Sequence, residues 1–260
     1  MLPRRLLRIV TVCALFAALR SHTQARTNGG PTPQSSKLPY AEKLIFRVEW
    51  RLITAGTATL NLRKTGNDSW ETNLRIESAG VLTRLYPVLD SYTVTTSSNL
   101  CPASALMDAR EGKRHYLTRL TFDGTRHRVQ AEQKDLVNNT STEKDLEAPP
   151  CTHEIMGALY ALRLMDLEPG KRTAIPITDG KKVVNARIDT QARETVSLGG
   201  KTYPTVRYEA YLFDDILYRR KGRLFIWLTD DKERIPVQFR VQMGFPIGNV
   251  TVQLEKDERP

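Results

Sequence analysis

The sequence predicts a mainly β protein: a single curved antiparallel sheet, or half-open β-barrel, of about a dozen strands with one embedded helix. Three observations predict it. From Tyr40 onward apolar residues recur with period two, turn signals separate these runs at short intervals, and residues 154–167 alone sustain helical spacing over several turns.

The first strand is expected around Leu44, Phe46, Val48 and Trp50, which alternate with Ile45, Arg47, Glu49 and Arg51. A turn at Thr54-Ala55-Gly56 leads into residues 57–64, patterned by Ala58, Leu60 and Leu62. Trp70, Thr72, Leu74 and Ile76 make a third run. Residues 81–86 have the look of one or two helical turns stopped by Pro87, and alternation resumes at Tyr92, Val94 and Thr96. The clearest hairpin spans 114–133. Asp123-Gly124 predicts a two-residue type I′ turn, which would pair Leu120 with His127 and set His115 opposite Glu132.

Residues 154–167 (EIMGALYALRLMDL) place Ile155, Ala158, Leu159 and Leu162 on one helical face and Met156, Tyr160, Leu164 and Leu167 on another. A helix apolar on two faces is broadly buried. Pro149-Pro150 precede it and Pro169-Gly170 end it. A second Asp-Gly pair, Asp179-Gly180, joins strands at 172–178 and 181–190, and Gly199-Gly200 joins a strand around Val196 to one near Tyr203. Val206, Tyr208, Ala210 and Leu212 share a face. Residues 223–229 are apolar on both faces, the pattern of a doubly covered strand, and runs at 235–243 and 248–255 complete the count.

Residues 1–25 are expected to be a secretory signal peptide. Arg4, Arg5 and Arg8 precede the apolar run 9–19, and cleavage is expected after Ala25. That run is too short for a comfortable permanent span, so no stable transmembrane segment is expected after cleavage, and the chain is expected in the periplasm or outside the cell. Residues 26–37, rich in Gly, Pro, Ser and Thr, form a flexible linker, and 38–257 a single mainly-β domain. Removing the four leader arginines takes the formal net charge from +10 to +6, a modest excess spread along the chain. With no recognisable motif either, nucleic acid is not an expected partner. Cys101 and Cys151 remain after cleavage. In an oxidising compartment a disulfide between them is the default, two separate buried thiols being the alternative that spacing leaves open.

The chemistry-bearing residues do not assemble a catalytic set. His115 and His127 fall on opposite hairpin faces, and His153-Glu154 lacks the second histidine of a zinc-protease helix. Asp214-Asp215 and Asp230-Asp231 are adjacent pairs whose side chains diverge along a strand, unlike the facing carboxyls of a glycosidase. No metal, no cofactor and no enzymatic activity is expected, a glycan hydrolase being the least favoured reading.

His153 to Gly170, Phe225-Ile226-Trp227-Leu228-Thr229-Asp230-Asp231, Arg234-Ile235-Pro236-Val237, the Glu42–Trp50 strand and Ala55-Gly56-Thr57-Ala58 together resemble the bacterial domain-of-unknown-function family 3108. The resemblance covers nearly all of 38–254. Glu154, Gly157, Tyr160, Leu162 and Arg163 carry the helix pattern, which departs at Met156, where a serine is expected. It implies an exported envelope protein, with an architecture similar to periplasmic lipoprotein carriers.

The functional expectation is a non-catalytic periplasmic protein binding an apolar or amphipathic ligand, a lipid or lipid-linked glycan, in the concave face of its sheet. Trp50, Tyr86, Tyr160 and Trp227 are the candidate cavity residues, with Arg163 to meet an anionic head group. A buried Arg163 needs a counter-charge, for which Asp90 or Asp108 is the internal candidate. The alternative is a structural or docking protein of the envelope that binds another protein through the face bearing Arg119, Arg126 and Arg128.

Overall fold

The computed structural model describes residues 38–66, 69–244 and 248–259. The expected signal peptide and linker lie outside the described residues.

Among the described residues fourteen strands form one antiparallel sheet in the order β8-β7-β6-β5-β4-β3-β2-β1-β14-β13-β12-β11-β10-β9. One wing is the meander β1 (Ala41–Trp50), β2 (Ile53–Thr65), β3 (Ser69–Ser78), β4 (Val88–Thr96), β5 (Pro102–Glu111), β6 (Arg114–Asp123), β7 (Arg128–Asp135) and β8 (Thr140–Glu147). A second meander is β9 (Arg172–Thr178), β10 (Val183–Leu198), β11 (Lys201–Ala210), β12 (Gly222–Thr229), β13 (Pro236–Met243) and β14 (Asn249–Glu258). They join where β1 pairs with β14, with Phe46 opposite Leu254. A short helix, α1 (Val81–Leu85), links β3 to β4, and α2 (Ile155–Arg163) links the two wings.

Burial follows the predicted alternation. Leu44 and Phe46 on β1, Ala58, Leu60 and Leu62 on β2, and Val94 on β4 all point into the curve and are buried. They pack with Met156, Tyr160 and Leu164 from one side of α2. Ala158, Ala161 and Leu162, from the other side, pack on Ile175, Ile188, Val206 and Tyr208 of the second wing. The helix is the filling between two wings of one folded sheet. The sheet is curved but not closed. Its two edges meet through side chains: Lys144 of β8 donates to the Lys181 carbonyl at 3.2 Å, and Gly180 packs against Leu120 and Ala131 on the inner face of β6 and β7.

Four local expectations need correction. The first hairpin turns at Arg51-Leu52, both at positive φ, and Gly56 lies inside β2. There a Cβ would sit 2.1 Å from the Glu77 carbonyl oxygen, so Gly56 serves a close backbone approach to β3. Asp123 opens a four-residue loop, because its carboxylate accepts the N–H groups of Thr125 and Arg126 and Val129 then pairs with Phe122. His115 consequently bonds Asp108 at 2.8 Å and not Glu132. Asp179 does the same for Lys181 and Lys182. The helix ends at Arg163, where Leu164 bonds back to Ala161 and tightens the last turn. The runs at 181–190 and around Val196 are one strand, β10, with a bulge between Thr190 and Ala192.

Cys101, before β5, and Cys151, ahead of α2, are joined as a disulfide with Cα atoms 4.7 Å apart. It ties the N-terminal wing to the root of the central helix. Replacing both cysteines by serine is expected to lower stability by about 2–4 kcal/mol, from the roughly 50-residue loop released in the unfolded chain. Urea unfolding midpoints of the two proteins, compared without reductant, check this.

Candidate functional site

The most heavily buried polar group lies where α2 meets the start of β1. Tyr160 and Arg163 are three residues apart on α2 and so share a face. Glu42 shares the inward parity of Leu44 and Phe46. Both carboxylate oxygens of Glu42 accept from Arg163, the Nη2 bond measuring 2.9 Å, and Tyr160 Oη donates to the same carboxylate at 2.9 Å. Arg163 Nη2 also donates to the Glu233 carbonyl at 3.2 Å, and its guanidinium lies 5.0 Å from the Tyr160 ring centroid. Neither charged side chain is exposed at all. Burial works against the Arg163 charge, yet the hydrogen bonds and charge of Glu42 outweigh it and hold the guanidinium above its ordinary value. Burial and the neighbouring Glu42 charge push the Tyr160 phenol well up.

The counter-charge of Arg163 is therefore Glu42, 121 residues away, and not Asp90 or Asp108. Asp90 is buried on β4, accepts the Arg110 backbone N–H at 2.9 Å, and is pushed up to about 6 by burial. Asp108 faces outward to His115 and Arg110. An acid on the apolar side of an alternating strand was the sequence signal for Glu42.

A second polar cluster sits at the helix root. Glu154 caps α2, accepting from the Met156 and Gly157 N–H groups, and burial pushes it up to about 7 against those bonds. His153, held to β9 by bonds with Pro176 and Thr178, is pushed down to about 4 by burial. Its Nε2 lies 3.6 Å from Cys151 Sγ, and its Nδ1 has no hydrogen-bond partner. Gly157 leaves room for both side chains, since a Cβ there would lie about 3 Å from each.

The five candidate binding residues do not converge. Tyr160 and Arg163 meet at Glu42. Trp50 is half-buried at the far end of β1, under the Arg51 guanidinium. Tyr86 follows α1 and lies over Gly112. Trp227 points to the outer face of β12, where its indole N–H meets Glu194 and Arg240 stacks 5.4 Å from its ring. The predicted double cover of β12 is real, and on this side arginines provide part of it: Arg223 stacks 4.7 Å from the Phe225 ring centroid. Arg126 and Arg128 pair with Asp123 and Asp145, and Arg119 lies opposite Glu132, so that face is a mixed-charge ladder. An open depression of about 470 Å³ on the outer face is lined by Lys43, Asn61, Arg63 and Glu71. Among the described residues no cluster of three or more His, Cys, Asp or Glu is placed to hold a metal.

A long antiparallel sheet curled around one helix, without closure, defines a β-barrel-like class. The chain belongs to the family described as protein of unknown function DUF3108, whose model matches residues 45–255. No curated protein matches it. A solved β-barrel-like protein of the DUF1849 family from Brucella abortus is similar in fold, with TM-score 0.57 and 10% identity over 86% of this chain and 99% of that one. A putative exported protein with a YmcC-like fold from Bacteroides fragilis aligns at TM-score 0.39 and 6% identity over 85% and 98%, too distant to carry an argument.

Two outcomes test the site's energetics. Arg163→Met is expected to cost about 3–5 kcal/mol by leaving Glu42 charged, buried and unpaired, and Glu42→Gln with Arg163→Met to cost less than the sum of the singles. A double-mutant cycle in urea decides; additive losses would refute coupling. For Glu154 the folded value lies above the unfolded one, so its burial weakens the fold as pH rises from about 4.5 to about 7. Glu154→Gln lacks that loss. Its stability relative to the parent should therefore climb across that window and level off above it, as followed by chemical unfolding at a series of pH values.

Proposed function

We propose that this chain is an exported, non-catalytic docking or structural protein of the cell envelope that works through its surface. The observation carrying this reading is the filled concave face. Phe46, Leu60, Tyr160, Leu162 and Leu228 are all buried where a ligand would have to lie, and Arg163, the buried cation there among the described residues, is already neutralised by Glu42. A carrier of apolar or amphipathic ligands needs that space empty. Binding of an amphipathic partner in this reading falls to the outer rims of the sheet. Export is supported by the basic-then-apolar leader pattern of residues 1–25. Among the described residues no helix is long and apolar enough to cross a membrane.

Native mass spectrometry of the protein recovered from the envelope of its host tests the reading. The expected result is a mass without stoichiometric adduct. A lipid or glycolipid retained at one per chain, and displaced by Arg163→Met, would reinstate the carrier.

A further inference from the structure

We propose that one end of the sheet docks on an anionic membrane surface, apolar turn tips first. This rests on the reading that the chain works through its surface.

The antiparallel order brings the β1–β2 turn, α1, the β5–β6 turn, the β7–β8 turn and the β11–β12 connection to the same end. Among the described residues most of the exposed large apolar side chains gather there. Leu52 and Ile53 cap the first hairpin, Val81, Leu85 and Leu89 belong to α1 and the start of β4, and Leu136 and Val137 form the β7–β8 turn. Leu52 is 94% exposed at a tip whose two turn residues both adopt positive φ. Singly scattered apolar residues are ordinary on a surface; a concentration on separate turns at one end is not. Helix α1 sharpens the point. It buries none of its five residues, although three are apolar, and Val81 and Leu85 stand one turn apart on the same face. The hairpin tip and α1 are neighbours: the Ala79 N–H donates to the Ala55 carbonyl at 2.8 Å, and α1 packs against β2.

The charges at this end complement an anionic surface. Arg51, Arg84 and Lys113 are exposed among the apolar tips. Their acidic neighbours are occupied or hidden, Glu77 by Arg75 and Glu111 by burial. In the β11–β12 connection the exposed Asp214 and Asp215 are outnumbered by Arg219, Arg220 and Lys221, Asp215 pairing with Arg219, and in the β7–β8 turn Asp135 is engaged by the Asn138 side chain. Convex apolar tips set among cations fit a bilayer interface, which deforms around them; a folded protein partner would need a matching concavity for each.

The test uses the chain as recovered from its host envelope, so that parent and variant share one N-terminus and any contribution of residues outside the rim cancels. Sedimentation with phosphatidylethanolamine vesicles containing phosphatidylglycerol should fall about tenfold in Leu52→Ser, Ile53→Ser, and weaken with added salt. Brominated lipid should quench tryptophan emission through Trp50, since Trp70 and Trp227 are buried, and Trp50→Phe should abolish the quenching. Equal sedimentation of parent and double variant, or emission indifferent to brominated lipid, overturns the proposal. Either failure leaves the filled interior and the docking reading intact, whereas a stoichiometric internal lipid would overturn that reading instead.

Discussion

A guanidinium taken out of water keeps its charge, so whatever buries Arg163 has to bring an opposite charge in the right geometry. Here that partner arrives on β1, the strand at which the two meanders join, while Arg163 ends the helix lying between them. The contact is more than a local ion pair. If α2 rotated by one residue, Glu42 would be left charged and unpaired in an apolar interior; if β1 slipped by one, Glu42 would turn to the outer face and Arg163 would be the one stranded. The pairing therefore fixes the rotation of the helix and the register of the strand together, in a core whose apolar contacts alone tolerate small slides. Tyr160 adds direction by donating to the same carboxylate, and the Glu233 carbonyl occupies a further guanidinium hydrogen.

The same economy governs the helix root. Glu154 spends its carboxylate on the first N–H groups of α2, which would otherwise be buried donors without acceptors. His153 stands beside it in its neutral form, bridged through its backbone to edge strand β9. The disulfide one turn earlier anchors this root to the opposite wing. Helix position is thus set at both ends by polar or covalent contacts, and the apolar residues between them fill the remaining space.

Much of this was legible in the chain. Period-two alternation located β1 to β4 and β11 to β14, because each has one face on the core. It missed β8, whose residues TSTEKDLE are almost all exposed on both faces and so leave no pattern, and β5, opened by a proline and rich in small side chains. Asp-Gly misled the hairpin register because the aspartate side chain, which the dipeptide rule ignores, captured two later N–H groups and lengthened the loop. Arg163 was recognisable as a buried cation needing a partner. Its partner was not chosen correctly, because spacing within a helix says nothing about a strand 121 residues earlier. The four aromatic candidates, Trp50, Tyr86, Tyr160 and Trp227, stand out in the chain by size and aromaticity, properties that a curved sheet uses equally for its core, its outer face and its turns.

The pairing of the first strand with the last has a kinetic meaning. Every other neighbour in the sheet is also a neighbour in sequence, so each meander can zip up hairpin by hairpin with short loops to close. The β1–β14 seam cannot; it waits for nearly the whole chain. Because the seam lies in the middle of the sheet and not at an edge, a chain arrested before it forms carries two internal strands with raw hydrogen-bonding edges, Leu44 and Phe46 among their side chains. Such an intermediate is the natural target of holdase chaperones, and the last act of folding is the closing of its centre.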